Sequence, residues 1–125
     1  MSLRSPLSKV LGRGSAGEGV GHWWVQRVTA VALLPLTIWF VISLLGQSLQ
    51  SYDAMRGWFG QPWVAVLTIL LVVTLAWHAK LGVQVVIEDY VHGKGAKTVL
   101  LLLSVFIHVA AAVTAVFAIL RMALS

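Results

Sequence analysis

Three uncharged, apolar stretches run through this chain, at about 28–46, 62–79 and 99–120. Each approaches the roughly 20 residues that an α-helix needs to cross a hydrocarbon core. In lipid a helix is the one form in which a single open segment satisfies its own backbone groups. The first stretch is broken only by Thr29, Pro35, Thr37 and Ser43. Pro35 withholds an amide hydrogen and is expected to free the Val31 carbonyl, bending the helix mildly. The second starts at Pro62, a favoured first-turn residue, and the helix is expected to continue past Ala79 to about residue 87, heading for Tyr90. The third ends against Arg121. A soluble fold of 125 residues, 59% of them hydrophobic and 10% charged, has too little interior to hide so much apolar surface. The expectation is an all-α membrane protein with three transmembrane helices at about 28–46, 62–87 and 99–120. Residues 21–125 form the membrane domain, and residues 1–20 form a flexible basic arm.

Orientation follows from the basic residues beside each span. Arg4, Lys9, Arg13, Arg27, Lys94 and Lys97 fall on one side, and Arg56 and Arg121 on the other. Six against two, leaving out Lys80 within the second helix, places the N-terminus inside and the C-terminus outside. Trp23, Trp24, Trp58 and Trp63 mark the interfaces. The net charge of +5 is therefore a topology signal, and nucleic acid is not an expected partner. No cysteine is present, which excludes disulfides, thiolate metal sites and Fe–S ligation by this chain. The arm lacks an apolar signal-peptide core; its basic, Ser-rich start also fits a mitochondrial presequence, the alternative to a Gly- and Ser-rich arm. No internal repeat supports a transporter.

Polar residues near or inside the spans carry the functional information, because each costs energy unless something satisfies it. They are Arg27 entering the first helix, His78, Lys80 and Gln84 on the second, Asp89 and Tyr90 at its inner end, and His108 on the third. On a continuous helix Asp89 lies within about 20° of His78 and roughly 16 Å along the axis. Gly82, one turn after His78, removes a side chain from that stripe, where a large flat group has room. An imidazole there can be an axial ligand to haem iron or a hydrogen-bonding partner for a backbone carbonyl or another helix. The Lys80 stem can carry its ammonium towards the inner surface. Arg27 can clamp a haem propionate or a quinone carbonyl, or serve as a topology signal that touches lipid phosphate. Asp89 and Tyr90 taken singly read as helix-end polarity and an interfacial anchor.

Two segments, in this order and spacing, resemble the hydrophobic membrane anchor subunits of succinate dehydrogenase, the D-type cytochrome b family. One is Gly21-His22-Trp23-Trp24-Val25-Gln26-Arg27-Val28-Thr29-Ala30. The other is His78-Ala79-Lys80-Leu81-Gly82, followed by Val85-Val86-Ile87-Glu88-Asp89-Tyr90-Val91. The resemblance covers roughly 21–120 and omits the basic arm; His108 has no counterpart in it. It implies that His78 is an axial ligand of a haem b shared with a second cytochrome b membrane subunit. It also implies that Asp89 and Tyr90 lie at a ubiquinone site, with the tyrosine hydroxyl donating to a quinone carbonyl. Iron–sulfur and flavoprotein subunits would be the soluble partners, anchored to the bilayer at a bacterial inner (cytoplasmic) membrane or, as the alternative, a mitochondrial inner membrane. A cofactor-free structural or assembly subunit is the competing reading; there both buried histidines would be interhelical hydrogen-bonding residues.

Overall fold

A computed structural model describes residues 16–46 and 51–125. Its elements are α1 (Ala16–Leu45), α2 (Tyr52–Phe59), α3 (Pro62–Tyr90) and α4 (Lys94–Leu124), and no strand occurs among the described residues. The three long helices carry the three candidate spans, 19–45, 62–90 and 94–124. At about 1.5 Å per residue each is some 43–46 Å long, well beyond a hydrocarbon core of about 30 Å. That surplus explains where the helices outrun the apolar runs. A helix entering lipid must close its hydrogen bonds before it loses water, so α1 starts at Ala16 and α4 at Lys94. Residues 16–20, expected in a flexible arm, are thus helical, and residues 1–15 lie outside the described residues. α1 is continuous through Pro35.

The spans handle their threonines locally. Thr29, Thr68 and Thr114 each donate to the carbonyl four residues back, at 2.7–2.8 Å, so the hydroxyls need no partner in lipid.

The short α2 has its signals in sequence: Ser51 caps it, its side chain accepting from the Ala54 amide at 3.5 Å, and Asp53 sits in the first turn. Three residues, Val91–Gly93, join α3 to α4 in a tight antiparallel hairpin. Lys97 closes it by donating from Nζ to the Glu88 carbonyl at 2.9 Å, a cation at the negative end of α3.

α3 lies in the middle. It packs against α1 on one side and α4 on the other, and no Cα of α1 comes within 8 Å of α4. Most buried side chains belong to it: Val64, Ala65, Thr68, Leu71 and Leu81. At the α2 end, Trp58 is buried and its ring lies 6.5 Å from Trp39, 6.0 Å from Phe40 and 4.8 Å from Phe59. The opposite end, bearing the hairpin, is where α1 and α3 open into a groove.

Candidate functional site

A groove of about 850 Å³ runs between the first half of α1 and the last half of α3. α1 contributes His22, Gln26 and Arg27, and α3 contributes His78, Gln84 and Glu88, over an apolar floor that includes Leu81 and Val85. The three- and four-residue spacings along each helix put these side chains on facing stripes. His78 and Arg27, 51 positions apart in the chain, therefore share one cavity.

His78 is half-buried, and its Nδ1 lies 2.9 Å from the Thr29 hydroxyl. That hydroxyl is 2.8 Å from the Val25 carbonyl and 3.1 Å from that of Gln26. Thr29 has one proton, and two carbonyl oxygens compete for it. Were it given to His78, the hydroxyl lone pairs would face a carbonyl lone pair at 2.8 Å. The imidazole is thus the donor, through Nδ1–H, and in its neutral form that tautomer leaves the lone pair on Nε2. Arg27 lays its guanidinium over the Trp23 ring, 5.4 Å from the centroid, a cation–π contact. Gln26 Oε1 is buried without a hydrogen-bond partner, an acceptor with unused capacity.

Lys80 follows the expected course: Nζ donates to Gln84 Oε1 at 3.0 Å, and Gln84 Nε2 donates to Glu88 Oε1 at 2.8 Å. The charge is handed towards the hairpin end along one helix face. Gly82 faces Gln26 of α1. A Cβ there would meet Gln26 Nε2 at 3.9 Å, an ordinary contact, and the groove is lined by its neighbours instead. Asp89 and Tyr90 are exposed at the end of α3 and do not line the groove. Asp89 lies within about 20° of His78 around the helix axis, but at the exposed end of α3, eleven residues further on. His108 faces the other flank of α3. Its Nδ1 is 2.7 Å from the Ser104 carbonyl, and it lines an apolar groove of about 250 Å³ with Trp77 and Val105.

Sequence reasoning missed Thr29 and Gln26 as parts of the site. Both stand in the quoted first segment, but their contacts are made across helices.

The family model described as the succinate dehydrogenase/fumarate reductase transmembrane subunit matches residues 1–119. The chain belongs to that family. Among curated succinate dehydrogenase hydrophobic membrane anchor subunits, that of Paracoccus denitrificans is 35% identical over 124 residues, covering 99% of this chain and 95% of the relative. That of Rickettsia bellii is 33% identical over 89 residues, 71% of each chain. A succinate dehydrogenase membrane anchor subunit of Reclinomonas americana is 31% identical over 87 residues, 66% of this chain and 71% of the relative. As a member of the succinate dehydrogenase/fumarate reductase transmembrane subunit family, the chain brings to its groove two imidazoles, those of His22 and His78, a guanidinium and an unsatisfied amide oxygen. Among the described residues no group of three or more His, Asp or Glu side chains is arranged to hold a metal ion by itself. A haem iron asks less of a chain, one imidazole for each axial position.

Proposed function

We propose that the chain is a membrane anchor subunit of succinate:ubiquinone oxidoreductase, and that it supplies one of two axial ligands to a haem b shared with a second membrane subunit. The observation that carries this reading is the 2.9 Å contact between His78 Nδ1 and the Thr29 hydroxyl, on the wall of a groove that Arg27 also lines; with Nδ1 so engaged, Nε2 is the nitrogen left to act as a ligand. The donor set fits the group. Neutral imidazole is a ligand for haem iron, a guanidinium suits a propionate, and Leu81 and Val85 offer the flat apolar contact that a macrocycle requires. Bound there, haem supplies a one-electron redox centre.

Tyr90, with Asp89 beside it, binds ubiquinone in this reading. The phenol donates to a quinone carbonyl, and the carboxylate orients it or relays protons from the aqueous side. Both residues lie clear of the groove, where a second membrane subunit and the iron–sulfur subunit can close around them. The flavoprotein subunit oxidises succinate, and this chain fixes the assembly to the bilayer with its N-terminus inside. The setting is a bacterial inner membrane, with the mitochondrial inner membrane as the alternative.

The cofactor-free reading has one observation in its favour, because the Thr29–His78 bond is also what an interhelical tie looks like. The reduced-minus-oxidised spectrum of the purified complex separates the two. His78→Leu is expected to abolish or shift the b-type signal, and His108→Leu to leave it intact. The converse pattern would move the ligand to His108. A signal unchanged in both variants would remove this chain as a ligand donor.

A further inference from the structure

We infer that Thr29 is a positioning residue for the haem ligand: its hydroxyl holds the His78 imidazole in the tautomer and ring orientation that ligation through Nε2 requires. The inference rests on the reading of His78 as the ligand and adds to it a role for α1. The alcohol has two duties and one proton. Towards its own helix it behaves like Thr68 and Thr114, donating to the carbonyl four residues back. Towards α3 it presents a lone pair, 2.9 Å from His78 Nδ1. A valine would keep the shape and lose the acceptor, leaving Nδ1–H without a partner in a half-buried site and the ring free to turn. An imidazole whose distal N–H is hydrogen-bonded is also the more basic ligand, which favours ferric over ferrous iron. Val28 and Ala30 flank Thr29 in sequence, and the nearest polar residues on α1 are Arg27 and Gln26.

The test uses the intact complex purified with Thr29→Val, Thr29→Ser and His78→Leu in this chain. Its readouts are haem content, the midpoint potential of haem b, and the low-spin EPR g-values of the ferric form, which report the planes of the axial rings. Thr29→Val is expected to raise the potential and shift the largest g-value, and Thr29→Ser, which keeps the hydroxyl, to restore both. Haem lost in Thr29→Val and regained in Thr29→Ser supports the same role. If the valine variant does not assemble, Thr29→Ala takes its place with the same expectation. Wild-type potential and g-values in Thr29→Val, in a complex that loses its signal in His78→Leu, would overturn the positioning role and leave the ligand in place. A serine variant indistinguishable from the valine one would overturn it too. An unaltered signal in His78→Leu would instead remove the ligand reading, and this inference with it.

Discussion

Lys80 shows how a single residue is accommodated where charge is costly. It is half-buried and lies two residues from His78, and it reaches down one face of α3 to Gln84, which in turn reaches Glu88. Spacings of four residues make that chain possible without any other helix. The polar positions Lys80 and Gln84 and the reach of the lysine stem were legible in sequence; the link on to Glu88 is seen in the structure. Tyr90 is the opposite case, 78% exposed at the end of α3; in the proposed reading its hydroxyl donates to a quinone carbonyl. A neutral hydrogen bond contributes about 0.5–1.5 kcal/mol net, which corresponds to roughly two- to tenfold in binding or rate. Tyr90→Phe keeps the ring and removes the donor. Succinate-dependent quinone reduction is therefore expected to fall by about that factor. Succinate oxidation with an artificial acceptor upstream, and haem content, should stay near wild type. Quinone reduction unchanged in both Tyr90→Phe and Asp89→Asn would make the pair an interfacial anchor.

The long elements and the short one were not equally legible. A span is a local property, because each segment must satisfy its own backbone in lipid, and the apolar runs announce it. α2 is eight residues long and includes Gly57, too short and too poor in propensity to hold by itself. Its stability comes from packing. Trp58 is 4% exposed among Trp39, Phe40 and Phe59, so one side chain ties α2 to α1. Arg56 adds a hydrogen bond to the Ser125 carbonyl, joining α2 to the end of α4. Trp58→Ala is expected to destabilise the chain by about 3 kcal/mol, by lost burial and the cavity left behind. A lowered thermal midpoint of the detergent-solubilised complex would register it, with the haem spectrum unchanged because the cluster lies at the end away from the groove. An unchanged midpoint would show that α2 contributes nothing to the packing of the spans.

At the scale of the whole molecule, the three spans form a row with α3 between two helices that do not meet. Both outer helices leave most of their apolar surface uncovered. Lipid covers such a surface, and so does the second membrane subunit in the proposed complex. Three crossings put the start of α1 and the α3–α4 hairpin on one side, and α2 and the end of α4 on the other. From the distribution of basic residues, the first side is expected to face the interior. Reporter fusions after Ser125 and within residues 50–60 are both expected to report the outer compartment. A cytoplasmic signal from either would invert the orientation and move the quinone site to the other face of the membrane.

The sequence by itself determined the three helices, though not that α1 begins as early as Ala16, and the exceptional status of His78 and Arg27 as polar groups beside or within apolar runs. Those are one-dimensional facts, fixed by hydropathy, length and charge. Only the tertiary structure decided that Thr29 meets His78, that Gln26 is left with an unused acceptor, and that the groove follows Leu81, Val85 and Glu88 and passes Asp89 by. Each of these depends on how a helix is turned about its own axis. In a soluble protein an apolar stripe sets that rotation, but these helices are apolar on nearly every side, and lipid attracts their side chains about as well as another helix does. Close packing and a few polar contacts set the rotation instead, and their partners lie tens of residues away in the chain.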